Sequence, residues 1–191
     1  MRKVISATVW GSLSMMLTAV AAFAFEMTPA TQAEIDKHKT VIAGWAADPV
    51  MVSAVKEQNV KGPIPGMDNP KWKTSRRSDP IVKALQDNLA GKLLKAKLEG
   101  SGGVYTEAFL SAAQGEKVAF AEKTTSYIHM GQSKFDVPFT TGKAWQGKPE
   151  FDESAQTYQL QISTPVLAGG KSIGVLVVGV SLAQLEKAGK K

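Results

Sequence analysis

Apolar positions change their period part-way along the chain. Between residues 28 and 99 they recur at helical spacing, and from Val104 to Ser181 they fall into short runs bounded by glycine turns. Ile35, His38, Ile42 and Trp45 follow one another at steps of three, four and three, which is one stripe of an amphipathic helix. Thr28-Pro29 supplies its cap and first turn. Asp48-Pro49 interrupts the stripe: proline has no N–H for the helix ladder, so a kink or restart capped by Asp48 is expected. Val52, Val55 and Asn59 continue the pattern, giving a long N-terminal helix over residues 29–61, about 45 Å at the standard rise. Gly62 to Gly66, with Pro63 and Pro65, is a turn. A helical excursion over 68–99 follows: Asp68-Asn69-Pro70 opens a short turn carrying Trp72. Ser78-Asp79-Pro80 then opens a helix with Ile81, Leu85, Leu89 and Leu93 as its buried face, ending at Gly100.

The second half reads differently. VYTEAFLSAA and KVAFAEK are separated only by Gln114, Gly115 and Glu116, the pattern of a hairpin. TYQLQISTPV alternates, with Leu160, Ile162 and Val166 on one face and Gln159, Gln161 and Ser163 on the other. After Gly169-Gly170, residues Ile173 to Val180 are apolar at odd and even positions alike, so this strand is expected to be central and covered on both faces. Helices first and strands second argue for an α+β domain with a meandering antiparallel sheet over 104–181. Trp45 and Trp72 read as anchors between helix and sheet.

Composition adds three constraints. With 191 residues, 43% hydrophobic and 21% charged, the chain suits one globular domain. Arg2 and Lys3, the uncharged apolar run from Val4 to Val20 and Ala22-Phe23-Ala24 form the pattern of a secretory signal peptide over residues 1–24, cleaved after Ala24. The alternative is a retained N-terminal anchor. No later segment is long and apolar enough for a span, so a soluble periplasmic or secreted product is expected. The chain has no cysteine, which removes disulfides, thiol catalysis and cysteine-based metal sites. The net charge of +6 is scattered, with small clusters at Lys71-Lys73-Arg76-Arg77 and Lys187-Lys190-Lys191. In an exported chain this is a solvated basic surface rather than a nucleic-acid face.

The segments WAADPVMVSAVKEQN, Asp68-Asn69-Pro70-Lys71-Trp72 and QISTPVLAGGKSIGVLVVGVSLAQL, in this order and spacing, resemble the Cache family of extracytoplasmic PAS-like (PDC) sensor domains. The resemblance covers nearly all of residues 25–191. It implies a long N-terminal helix packed on a five-stranded antiparallel PAS-like sheet. A small-molecule pocket would lie on the opposite face, under the loop from Thr124 to Gly147. It also implies a ligand among amino acids, carboxylates, amines and purines. This sequence lacks a clear version of the family's arginine-tryptophan-tyrosine-aspartate pattern for amino acids, and it carries no output domain. Its partner would be a membrane receptor or histidine kinase.

Placed on that geometry, the candidate ligand-binding residues are Tyr127, His129, Phe135, Phe139, Lys143, Trp145, Asp152 and Gln161. The aromatic residues would wall a pocket or merely cap the open face of the sheet. His129 offers a hydrogen-bonding group or a structural histidine. Lys134 and Lys143 would pair with an anionic ligand group or stay solvated. Asp152, with Glu153 and Ser154, sits where the resemblance places a group for a ligand amine, and a turn or edge-protecting role is the alternative. Gln161, with Gln159 and Ser163, provides neutral hydrogen-bonding groups for a polar ligand. No catalytic constellation is visible: there is no G-x-S-x-G elbow, and the adjacent Asp152 and Glu153 would point to opposite sides of a strand. No metal or cofactor is expected. The expected function is thus an exported, non-enzymatic ligand-binding sensor module. The alternative is a ligand-free interaction or homodimerisation module working through the N-terminal helix.

Overall fold

The computed structural model describes residues 25–152 and 157–188. The expected signal peptide, and Glu153 and Ser154, lie outside the described residues. Among the described residues no helix is long and apolar enough to cross a membrane.

The N-terminal helix restarts where the sequence interrupts it. Helix α1 (Pro29–Ala46) is capped by Thr28, whose hydroxyl accepts from the Thr31 N–H, and α2 (Pro49–Lys61) is capped by Asp48, which accepts from Val50. Ile35, Ile42 and Trp45 of α1 and Met51 and Val55 of α2 are buried against the sheet. Val52 is only partly buried, and Asn59 does not extend the apolar stripe. Its side-chain oxygen accepts from Ala113 N–H and its amide donates to Ile173 O, which ties α2 to two strands. The outward side of α1 is polar, with Lys37–Glu34 and Lys39–Asp36 pairs along it.

Helix α3 (Asn69–Thr74) is capped by Asp68 and buries Trp72. The helix expected to run on to Gly100 is in fact two, α4 (Pro80–Asp87) and α5 (Leu89–Glu99). Asn88 causes the break: it leaves helical geometry, accepts from Gly91 N–H with its side chain, and donates to Val118 O. The break also rotates the buried face. Val82, Ala90 and Leu94 are buried, Ile81, Leu85 and Leu93 are partly so, and Leu89 is 75% exposed.

Strands β1 (Tyr105–Ala112), β2 (Lys117–Phe120), β3 (Trp145–Gln146), β4 (Glu150–Asp152), β5 (Thr157–Ala168) and β6 (Lys171–Ser181) form one antiparallel sheet in the order β2-β1-β6-β5-β3, with β4 also on β5. The sixth strand arises because the edge partner of β5 is interrupted between Gln146 and Glu150, where Pro149 has no N–H to give. The β5–β6 hairpin closes through Gly169 and Gly170, both at positive φ (57° and 76°), the turn that fits the twist of the flanking strands. Central β6 is buried continuously from Gly174 to Ser181.

Each face of the sheet has its own core. Ala108, Leu110, Leu160, Ile162, Leu176 and Val178 meet α1, α2 and α5. On the other face Phe109, Val175 and Val177 meet Trp72, Phe120, Tyr127 and Phe135. Phe135 comes from α6 (Ser133–Thr141), a helix inside the long loop. The chain closes with α7 (Leu182–Ala188).

One position in β6 leaves that second face incomplete. A Cβ at Gly179 would stand 2.5 Å from Thr106 Oγ1 and 2.7 Å from Glu107 Cγ. Gly179→Ala is expected to lower stability by about 1–3 kcal/mol through overpacking. Urea denaturation should show this as a lower midpoint at unchanged slope.

Candidate functional site

The site begins with an irregularity in β1. The register against β6 shifts between Tyr105 and Glu107, and such a bulge turns two successive side chains to one face. Tyr105 goes to the α1 side, where its hydroxyl shares a 2.7 Å hydrogen bond with His38 Nδ1. Thr106 and Glu107 both go to the opposite side. There Glu107, Gly179 and Gln161 form one row across β1, β6 and β5. With no side chain at Gly179, its neighbours join over it: the Gln161 amide donates to Glu107 Oε1 at 2.5 Å. A second relay runs beside it, from the Thr106 hydroxyl to Gln159 Oε1 at 2.8 Å and from Gln159 Nε2 to Asp152 Oδ2 at 2.9 Å.

Above these rows lies a hollow of about 480 Å³. Its floor is Thr106, Glu107, Phe109, Gln159 and Gln161; its walls come from Glu122 to Ser126, His129, Lys134 and Asp152. The wall loop is held from two sides. Asn69 accepts from Tyr127 and Ile128 N–H and donates to Ile128 O, and His129 N–H donates to Gly115 O. Trp72 Nε1 donates to Thr124 O at 2.8 Å. The Asp68-to-Trp72 segment therefore clamps the loop that walls the cavity.

His129 is buried, stacks on Phe109 at 4.4 Å, and has Nδ1 3.3 Å from Ser111 Oγ. Burial, then the Lys117 and Lys134 charges, push its pKa down to about 3, so it is neutral near pH 7. Lys117 is fully buried just behind the wall. Its ammonium donates to Thr124 Oγ1 and lies 4.8 Å from the Phe109 ring centroid and 5.3 Å from those of Trp72 and Phe120. Burial drives its pKa down to about 7, against the upward pull of Glu107.

The expected site residues divide between these surroundings. His129, Asp152 and Gln161 line the cavity. Trp145 lines an adjoining hollow of about 260 Å³, which shares Gln159 and Gln161 with it. Tyr127 and Phe135 are buried in the second core, the Tyr127 hydroxyl accepting from Ile64 N–H, and Phe139 stacks on Phe135 at 5.2 Å. Lys143 is exposed at the surface and lines none of these hollows. The sequence reading did not single out Thr106, Glu107, Phe109 or Lys117. The signals for them were a Thr-Glu pair inside an apolar strand and a glycine in the middle of the central one. A larger groove, about 600 Å³, runs between α2 and the α4–α5 pair. Its charged groups, Glu57 and Lys61, are exposed and converge on nothing.

No protein-family model matches the chain, and no curated protein matches it. Among solved structures it is similar to the ligand-binding domain of the Campylobacter jejuni chemoreceptor Tlp3 in complex with L-norvaline. Identity there is 15% and the TM-score 0.46, over 84% of this chain and 58% of that one. It is also similar to the sensor domain of the V. cholerae histidine kinase DctB, at 14% identity and TM-score 0.43 over 84% and 60% of the two chains. The ligand-binding domain of the Pseudomonas aeruginosa PAO1 amino acid chemoreceptor PctC, in complex with GABA, gives 14% and 0.39 over 81% and 65%. The chain thus spans less than two thirds of the length of these three.

Lys117 gives a stability test. The unfolded chain keeps this proton up to about pH 10.5, whereas the folded one releases it near 7. Between those values the unfolded state binds more protons, so the cost of burying the Lys117 charge is absent above pH 10.5 and grows as pH falls towards 7. Lys117→Met should melt higher at pH 7 and show a flatter dependence of melting temperature on pH between 7 and 10.5.

Proposed function

We propose that this chain is an exported, Cache-type sensor module that holds a small polar molecule in the cavity over Gly179 and reports its occupancy to a membrane receptor or histidine kinase. The observation that carries the reading is the hollow itself. In a domain whose two cores are otherwise filled, five polar side chains of three strands (Thr106, Glu107, Asp152, Gln159 and Gln161) are pre-arranged around one space. Fixed, mutually oriented amide and carboxylate groups lower the ordering cost of binding.

The groups suit recognition rather than turnover. Glu107 is held by Gln161, Asp152 by Gln159 and Glu122 by Arg77 at 2.7 Å. His129 is neutral and packed face to face on a ring. Export is supported by the basic start, apolar run and Ala22-Phe23-Ala24 pattern of the first residues. A route for reporting is supported by Tyr105, next in the chain to the cavity residue Thr106 and hydrogen-bonded to α1.

Binding to the native state alone raises the melting temperature. A thermal-shift screen of the mature chain against small amino acids, carboxylates, amines and nucleobases should give hits that shift melting upward by about 2 °C or more, since 1 kcal/mol corresponds to about 2–4 °C at this size. Gln161→Leu should reduce the shift at least severalfold while leaving the unliganded protein folded. A screen without hits, or hits indifferent to Gln161→Leu and Glu107→Gln together, would remove the reading.

A further inference from the structure

The two hollows on the sheet face meet at a pair of glutamines that are held differently. Gln159 is fixed at both ends of its amide: Oε1 accepts from the Thr106 hydroxyl and Nε2 donates to Asp152 Oδ2. Gln161 is fixed at one end. Among the described residues its side chain makes one hydrogen bond, from Nε2 to Glu107 Oε1 across Gly179. Both glutamines line both hollows, so Gln161 is a partition that a single bond holds in place.

The row that contains Gln161 has a glycine on either side of it. Glu107, Gly179 and Gln161 stand in register on β1, β6 and β5. Gly147, whose N–H donates to Gln161 O at 2.7 Å, continues the row past β5. The Trp145 indole leans along its own strand over Gly147, where a Cβ would stand 3.2 Å from Trp145 Cη2. A trough thus crosses the sheet, with a carboxylate at one end, an aromatic ring at the other and Gln161 between them. From the bridge over Gly179 to the ring over Gly147 is two strand spacings, about 10 Å. The charges along this trough are matched: Glu122 is taken by Arg77, Glu107 and Asp152 face Lys123 and Lys134, and Glu150 stands with Lys148. Matched charges favour an uncharged occupant.

Resting on the sensor reading above, we propose that Gln161 is a latch that sets the length of ligand the site admits. An elongated, uncharged molecule with a carboxamide at one end and a flat ring at the other displaces Gln161 from Glu107. It donates its own amide N–H there and lays its ring against Trp145, so that the two hollows become one site. The latch rejects shorter amides by competition. A tethered carboxamide beside Glu107 is present at high effective concentration, and a short amide that replaces it exchanges one hydrogen bond for an equal one. A longer molecule also buries its chain and ring, and that apolar area is its net gain. Small ligands that stay within the larger hollow keep Gln161 as a wall and partner, whereas for long ones it is a competitor.

The test uses the mature chain with 15N-labelled glutamine, and propionamide, hexanamide, 3-phenylpropanamide and 6-phenylhexanamide as probes. The last places its amide nitrogen and ring centre about 10 Å apart when extended, which matches two strand spacings. It is expected to bind about tenfold or more tighter than hexanamide or 3-phenylpropanamide. It should also move the Gln161 side-chain amide resonance to the position of a solvated glutamine, and propionamide should leave that resonance in place. Gln161→Ala, and the milder Gln161→Asn that is too short to reach Glu107, should each tighten 6-phenylhexanamide about threefold or more. That is opposite in sign to the loss that Gln161→Leu causes for small ligands. Trp145→Leu should reduce 6-phenylhexanamide towards the affinity of hexanamide. Equal affinity of the two phenyl amides, or weaker binding of 6-phenylhexanamide by both Gln161→Ala and Gln161→Asn, refutes the latch. If 6-phenylhexanamide leaves the Gln161 resonance unmoved while small molecules of the thermal-shift screen bind and depend on Gln161, the latch falls and the sensor reading stands. If neither these probes nor the screen gives binding, both fall.

Discussion

The pairing of β6 with β1 on one side and β5 on the other sets every other surface of this molecule. In a strand, side chains alternate between faces, so the register of these ladders decides which residues go to the helices and which to the cavity. Leu176, Val178 and Val180 take one face with Leu110, Leu160 and Ile162, and Val175 and Val177 take the other with Phe109. Burial of one face by α1, α2 and α5 then leaves the second face to be covered by short segments. Trp72, Tyr127 and α6 cover only part of it, and the cavity occupies the rest.

What could be read from the amino acids was what repeats. The Ile35-Ile42-Trp45 stripe, the alternation in TYQLQISTPV and the apolar run of β6 each extend over several residues, and the Asp48-Pro49 restart is a local signal complete in itself. Features that depend on one residue's tertiary neighbours were illegible. Leu89 completes a four-residue stripe on paper, yet Asn88 caps a new helix and turns it outward. Helix α6 has Pro138 inside it and little local signal; its place is set by burying Phe135. The same limit applied to the site. His129, Asp152 and Gln161 come together at the cavity, whereas Tyr127 and Phe135 point into the core and Lys143 into solvent. An aromatic residue in a loop carries no local mark of which side it will face. Thr106 and Glu107 share a face only because of a bulge, and Lys117 looks in sequence like any solvated lysine.

Energetically the cavity end of the domain works against its own stability. Burial lowers the proton affinity of both Lys117 and His129, so charging either one opposes folding. The helix-facing core, filled by aliphatic side chains from α1, α2, α5, α7 and four strands, makes that tolerable. Groups whose burial opposes folding concentrate at functional sites. Here they adjoin a hollow whose floor is made of polar side chains of the sheet.

Gly179 shows how much of the floor of the hollow rests on one missing side chain. Strands on both sides bring long polar side chains to that spot, and they bridge above a bare α-carbon. A methyl group there would press on the Thr106 and Glu107 side chains that meet over it. The polar floor of the hollow in this architecture therefore depends on the absence of one carbon atom in its central strand.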